Sequence, residues 1–237
     1  MIPLIYFLRK NSSILRLGET KFEGKVLIKA TSNGLSEFMT NISMSIVAIL
    51  FNSQLMKYSG ENGVAAYGVM MYVSMIFTAV FVGFSIGASP VISFHFGAKN
   101  TDELKNLIRK SIVIVGTFGI IMVIAAEIFA GGLAKIFVGY DEELYRLTLS
   151  GFRVFALSFG FMGFGILTSG LFTALNDGLT SALISFLRTL VFESGAVMLL
   201  PLIFGIHGIW YSVVVSEFLA LVLGAVFLVI NRKKYHY

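Results

Sequence analysis

Residues 111–134 read SIVIVGTFGIIMVIAAEIFAGGLA, and Glu127 is the only charged residue among them. About 20 helical residues cross the roughly 30 Å hydrocarbon core of a bilayer, so this stretch is long enough to span a membrane. Five more apolar runs of similar or greater length occur in the chain, at residues 35–56, 64–94, 147–175, 179–204 and 206–230. The sequence therefore predicts six membrane spans.

The composition indicates that these spans are helices. Hydrophobic residues make up 57% of the 237 residues and charged residues only 13%, whereas soluble domains carry about 25% charged residues. A span must satisfy all of its backbone hydrogen bonds internally, which leaves helices or closed barrels. The runs are continuous rather than alternating in polarity, so we predict an all-α polytopic membrane protein. The chain has no cysteine, which excludes disulfides and thiolate metal sites.

The distribution of basic residues predicts the orientation. Positive residues gather in the cytoplasmic loops of membrane proteins, and here one side of the predicted bundle holds most of them, so we expect both termini in the cytoplasm and the protein in the plasma membrane. The net charge of +5 then reflects topology and does not indicate a nucleic-acid partner. Only Lys57, Lys135 and Arg146 fall on the other side; the cytoplasmic set is Arg9, Lys10, Arg16, Lys21, Lys25, Lys29, Lys99, Lys105, Arg109, Lys110, Arg232, Lys233 and Lys234.

A polar stripe runs along the first predicted helix. At about 100° per residue, Glu37, Asn41, Ser45 and Asn52 share one face. A carboxylate, two amides and a hydroxyl on one face suit a pathway for a cation or proton. Alternatively, Glu37 only interacts with the positive end of its own helix near the lipid headgroups.

Two carboxylates lie in the middle of predicted spans. Glu193 and Glu217 are candidates for ion or proton coupling, because ionisable groups inside a membrane are costly and usually functional. A structural hydrogen bond is the alternative for both. Arg188 lies five residues before Glu193, which in an α-helix places the two on different faces, so we expect Arg188 either to pair across helices or to extend to the membrane surface.

The fourth predicted helix is rich in phenylalanine and glycine. With Met75 of the second helix, Phe155 and Phe159 are candidates for lining a pocket for flat lipophilic cations, because aromatic faces attract cations and methionine adapts to varied shapes. The alternative is close helix packing, which small residues such as Gly160, Gly163 and Gly165 permit.

Catalytic signatures are missing from the sequence. The chain has no His-Glu-x-x-His motif and no phosphate-binding loop, and the spacing of its three histidines does not form a metal site. We therefore predict that the protein is not an enzyme and has no metal site or cofactor.

Several stretches resemble one transporter family. Residues 87–100 read GASPVISFHFGAKN, residues 170–177 read GLFTALND, and residues 204–210 read FGIHGIW before Glu217. These are similar to helix-end and loop motifs of the MATE (multidrug and toxic compound extrusion) family, and the resemblance extends over essentially the whole chain.

The resemblance implies a fold of two six-helix lobes around a central cavity, with this chain corresponding to the carboxy-terminal lobe. Residues 1–33 would be the end of a preceding helix, in Met1–Leu8, plus a cytoplasmic linker; residues 34–231 the six-helix lobe; and residues 232–237 a cytoplasmic tail. The missing wall of the cavity would come from an amino-terminal lobe or from a second copy. An interfacial anchor is the alternative for Met1–Leu8.

The family exports drugs and organic cations in exchange for Na+ or H+, so the resemblance implies a cation-coupled antiporter. Many members carry an ion-binding carboxylate in the seventh helix. Alignment with the family places Thr40 there, one turn after Glu37. The acidic residue that some members have in the tenth helix is absent from residues 147–175.

Two other functions remain open. A flippase for lipids or lipid-linked sugars would need a basic cavity for phosphate, and the spans offer only Arg153 and Arg188. A truncated or scaffolding membrane protein that transports nothing is the second.

Overall fold

The computed structural model describes residues 22–235 and Tyr237. The predicted end of a preceding helix at Met1–Leu8 lies outside these residues. The described part is helical, with short connections and no strand. Its elements are α1 (Gly24–Gly97), α2 (Thr101–Val138), α3 (Glu142–Ala156), α4 (Phe159–Ala174), α5 (Gly178–Ser185), a π-helical segment (Phe186–Glu193), α6 (Ser194–Leu199), α7 (Pro201–Phe204) and α8 (Ile206–Tyr235).

Helix α1 consists of two arms that double back at Gly60. This glycine has φ 60° and ψ −150°, a conformation that is essentially restricted to glycine. The rings of Phe51 and Tyr67 stack in parallel with centroids 4.9 Å apart. In one straight helix these residues would lie about 24 Å apart at 1.5 Å per residue. The arms before and after Gly60 are therefore two separate, packed helices.

Six spans result from these elements. Within residues 22–235, four helical stretches are long and apolar enough to cross a membrane: Glu37–Gly97, Thr101–Val138, Gly178–Phe204 and Ile206–Tyr235. The first contains both arms of α1. A fifth is the pair α3 and α4, which is bent by 50° at the break between them. The prediction of an all-α polytopic membrane protein is confirmed, and six spans agree with the observed elements.

Side-chain caps set the start of three helices. Asn100 accepts a hydrogen bond from the backbone N–H of Glu103, Asp141 from that of Leu144, and Asp177 from that of Thr180. Each cap satisfies a backbone donor that the first turn of a helix leaves without a partner. The helices also extend beyond the predicted boundaries: α1 begins ten residues before residue 34, and α8 continues to Tyr235.

Glycines in α3 and α4 allow the helices to approach closely. A Cβ atom at Gly151 would lie 2.8 Å from the ring of Trp210, and one at Gly163 would lie 2.6 Å from the ring of Phe81. Small residues are the usual means by which membrane helices pack tightly. The outward surface of the bundle is apolar, as a lipid environment requires, and includes Ile76, Ile128 and Ile203.

Candidate functional site

Arg188 and Glu217 form an ion pair inside the bundle. Arg188 lies in the π-helical segment, and its Nε and Nη2 donate hydrogen bonds to Oε2 and Oε1 of Glu217 in α8, at 3.0 and 2.7 Å. Their side chains are only 17% and 8% exposed. A two-pronged pair of this kind is strong and directional. Arg188 therefore pairs across helices, and its side chain does not extend to the membrane surface.

Gly165 provides the space for the side chain of Arg188. A Cβ atom at this position in α4 would lie 2.9 Å from Cδ and Nε of Arg188. The glycine-rich helix α4 thus serves two purposes, since it packs closely against its neighbours and also leaves a passage for a charged side chain.

The π-helical segment changes the relation between Arg188 and Glu193. A π-helix forms hydrogen bonds between residues i and i+5, so residues five apart lie little more than one turn from each other. The charge of Glu193 interacts with both Arg188 and Glu217. The expectation of different faces assumed α-helical geometry, which does not apply here.

Glu193 has no direct partner of its own. Its half-buried carboxylate makes no hydrogen bond or ion pair within residues 22–235 and Tyr237. Its charge also acts on the buried hydroxyl of Tyr67 in the second arm of α1. Glu193, Glu217, Arg188 and Tyr67 therefore form one electrostatic cluster, called the arginine cluster below.

Two buried oxygens on neighbouring elements have no hydrogen-bond partner among the residues that the structure describes. They are Oγ of Ser194, next to Glu193 in sequence, and Oε1 of Gln54 in the first arm of α1. The amide nitrogen of Gln54 lies 3.2 Å from Sδ of Met198, one helical turn after Ser194. Sequence reasoning missed both residues and Tyr67; a polar side chain within an apolar span was the available signal.

The polar stripe lies on the outside of the bundle. Glu37, Asn41 and Asn52 are exposed and Thr40 is half-buried, whereas Phe51 on the other side of the same arm is buried. Nδ2 of Asn41 donates to the backbone oxygen of Glu37 at 2.8 Å. Among the residues that the structure describes, no hydrogen bond or ion pair joins Glu37, Asn41 or Asn52 to the arginine cluster.

The three candidates for lining a substrate cavity occupy different environments. Met75 is 73% exposed, whereas Phe155 and Phe159 are 3% and 0% exposed. Phe159 stacks on Phe77 with ring centroids 4.7 Å apart and meets the edge of Phe155 at 5.8 Å. Only Met75 lies at the surface; the two phenylalanines pack inside the bundle.

The arginines of the predicted spans both face carboxylates. Nε of Arg153 lies 3.9 Å from Oε2 of Glu127, and both side chains are well exposed. Arg188 is bound by Glu217. Neither guanidinium is therefore an unpaired cation of the kind that a phosphate-binding cavity would need.

Comparison with known proteins places the chain in a family. The family model MatE matches residues 38–194, well over half of the chain, so the chain belongs to the MatE family. The multidrug export protein MepA of Staphylococcus aureus (strain MRSA252) is 22% identical over 216 residues, which are 90% of this chain and 47% of MepA. The probable multidrug resistance protein YoeA of Bacillus subtilis (strain 168) is 26% identical over 151 residues, 61% of this chain and 32% of YoeA.

Solved structures share the fold. MATE in the straight conformation superimposes with a TM-score of 0.90 at 22% identity, and the match covers 99% of this chain and 54% of that one. A MOP superfamily transporter from Pyrococcus furiosus gives a TM-score of 0.89 at 21% identity, covering 100% of this chain and 54% of that one. The chain covers about half the length of MepA and of these structures, and about a third of YoeA.

Proposed function

We propose that this chain is the carboxy-terminal half of a cation-coupled antiporter that exports drugs or organic cations across the plasma membrane, with both termini in the cytoplasm. The MatE family assignment and the names of MepA and YoeA support export of drugs. The coupling ion is Na+ or H+. The rest of the cavity comes from an amino-terminal lobe or a second copy.

One observation carries the proposal: the polar stripe lies on the outer surface of a helix bundle whose surface is otherwise apolar. Glu37, Asn41 and Asn52 are exposed beside exposed Ile42 and Ile49 on the same arm. Lipid-facing carboxylates and amides are costly, and polar residues in membrane spans usually face a water-filled cavity. We infer that the isoleucines contact lipid, whereas the stripe faces the central cavity.

The mechanism follows from differential affinity. A transporter built from two lobes opens its cavity alternately to each side of the membrane. A bound cation can drive this change only by binding one conformation more tightly than the other. Glu37, Thr40, Asn41 and Asn52 provide oxygen ligands at the cavity wall, while Glu193 and Glu217 provide carboxylates inside the lobe.

Drug efflux tests the proposal. Cells that express the gene in its natural context, together with any amino-terminal half, should exclude ethidium while an ion gradient is maintained. Glu37→Gln should slow efflux without preventing membrane insertion, and Glu61→Gln, an exposed carboxylate beside the Gly60 turn, is the matched control. Wild-type efflux by Glu37→Gln under a full gradient would remove that residue from the coupling pathway.

Binding assays with anionic lipid-linked sugars and with ethidium separate the alternative functions. A flippase should bind anionic lipid-linked sugars in preference to ethidium. The ion pairs of Arg153 and Arg188 are evidence against a flippase, because each guanidinium already faces a carboxylate. If neither ligand binds and no ethidium is exported, the drug-export proposal fails and a scaffolding role gains support.

A further inference from the structure

We propose that a single monovalent cation, a proton or Na+, occupies Glu193 while Glu217 binds Arg188, and that Arg188 can change its partner from Glu217 to Glu193 when this cation leaves. The inference rests on the proposed function in one respect only: the role of this cation in transport assumes that the protein is an antiporter. Occupancy of Glu193 itself is a property of this bundle.

Charge counting supports a bound cation. With all three groups ionised, Arg188 contributes one positive charge and Glu193 and Glu217 two negative charges, which leaves one uncompensated negative charge. All three lie in the middle of spans, where an unpaired charge is expensive. One proton or one Na+ at Glu193 restores neutrality, and a divalent cation would exceed it.

The geometry decides which carboxylate takes the cation. Both oxygens of Glu217 accept hydrogen bonds from Arg188, so its charge is compensated directly. Glu193 lacks such a partner in the described part of the chain. Glu193 is therefore the carboxylate of the two that is available to a cation.

Arg188 is also able to change partners. Its bonds to Glu217 use Nε and Nη2, so Nη1 remains free of hydrogen bonds to described residues. The π-helical turn places Arg188 and Glu193 little more than one turn apart. When the cation leaves, Glu193 regains its charge and competes with Glu217 for the guanidinium.

The exchange would link cation binding to helix packing. Glu217 belongs to α8, whereas Glu193 and Arg188 share the π-helical segment. When the cation is bound, the ion pair between Arg188 and Glu217 connects the π-helical segment to α8. When the cation leaves, this connection weakens. The charges that act on Glu193 are those of Glu217 and Arg188, and the charge of Glu193 in turn acts on the hydroxyl of Tyr67 in α1. On the side of α4, Arg188 lies against the uncharged Gly165.

Infrared difference spectroscopy of the purified protein in nanodiscs tests the inference. Spectra at about pH 7 and about pH 10 in choline chloride should differ by the carbonyl band of a protonated carboxylic acid, because ordinary carboxyl groups, with pKa values of about 4, are ionised at both. Glu193→Gln should abolish this band, and the control Glu61→Gln should retain it. Glu193→Asp keeps a carboxyl group and should shift the band without abolishing it, so the assignment does not depend on one variant folding.

A second variant tests the exchange. In Glu217→Gln, Arg188 has only Glu193 left to bind, so the band should be lost although Glu193 is present. Replacing choline by Na+ at constant pH distinguishes the cations: loss of the band indicates Na+ at Glu193, and an unchanged band indicates a proton alone.

The inference is overturned if Glu193→Gln retains the band, if Glu217→Gln leaves it unchanged, or if the wild-type protein shows neither a band nor any response to Na+. These outcomes differ from failure of the proposed function. If drug efflux is absent but the Glu193 band is present, the antiport proposal fails and the cation site stands. If efflux is normal but the band is absent, the cation site fails and the antiport proposal stands.

Discussion

Asp177 and Lys234 join the start of α5 to the last turn of α8 through an ion pair with an N–O distance of 2.8 Å. The hydroxyl of Tyr235 donates to the same carboxylate oxygen, and the other oxygen caps α5 through the N–H of Thr180. Partial burial by itself would raise the pKa of Asp177, but the hydrogen bonds from Lys234, Tyr235 and Thr180 outweigh it and lower the pKa to about 2. The Asp177 carboxylate therefore connects the last turn of α8 to the start of α5.

Asp177→Ala should destabilise the protein, since it removes a helix cap worth about 0.5–2 kcal/mol as well as the ion pair. Asp177→Asn keeps a capping oxygen but loses the charge, so its melting temperature in detergent should fall less. If both variants melt with the wild type, this connection does not contribute to stability.

The stabilisation by Asp177 should also depend on pH. Because folding lowers the pKa of this group from 3.8 to about 2, the folded state favours the ionised form. The contribution is complete above the unfolded value and is lost as the pH falls through the folded value. The difference in melting temperature between wild type and Asp177→Asn should thus be constant near neutral pH and shrink between about pH 4 and pH 2. A difference that persists at pH 2 would contradict this assignment.

Gly60→Ala should destabilise the turn between the two arms of α1. The reason is its backbone conformation, φ 60° and ψ −150°, because no atom lies within 4 Å of the added Cβ. Such strain costs on the order of 1–3 kcal/mol. Gly68→Ala, in a regular part of the same helix with equally open space, is the control and should melt at or slightly above the wild-type temperature.

Gly151→Ala should disturb the environment of Trp210, since the new Cβ would lie 2.8 Å from its ring. Overpacking of this kind costs about 1–3 kcal/mol. Trp210 is the only tryptophan of the chain, so its fluorescence reports the change directly. The spectrum of the control Gly160→Ala, whose nearest contact would be an ordinary 3.5 Å, should match the wild type.

Phe159→Ala and Met75→Ala separate packing from substrate contact. Phe159 is fully buried, so its truncation should lower stability by about 3–5 kcal/mol if the cavity does not collapse. Met75 is exposed, and its truncation should leave the melting temperature near that of the wild type while changing ethidium efflux. Unchanged efflux in Met75→Ala would place this residue outside the substrate pathway.

Much of the architecture was predictable because hydrophobic length is a local property. The six apolar runs, the charged connections between them and the helical class follow from composition and span length alone. The need of Gly163 and Gly165 for close packing was also visible, since small residues in apolar helices serve few other purposes. Glu193 and Glu217 were recognisable because a carboxylate in the middle of a span is rare.

Only the tertiary structure decided how these groups meet. Arg188 finds Glu217 on a different helix, 29 residues away in sequence, and Phe155 and Phe159 pack inward although their sequence allowed a cavity. The relation between Arg188 and Glu193 depends on a π-helical turn, whereas a helical wheel assumes 3.6 residues per turn. Hydrophobicity determines where a helix crosses the membrane, but it carries no information about such a change of pitch. That pitch, and the partner each buried charge obtains, depend on the packing of several helices at once.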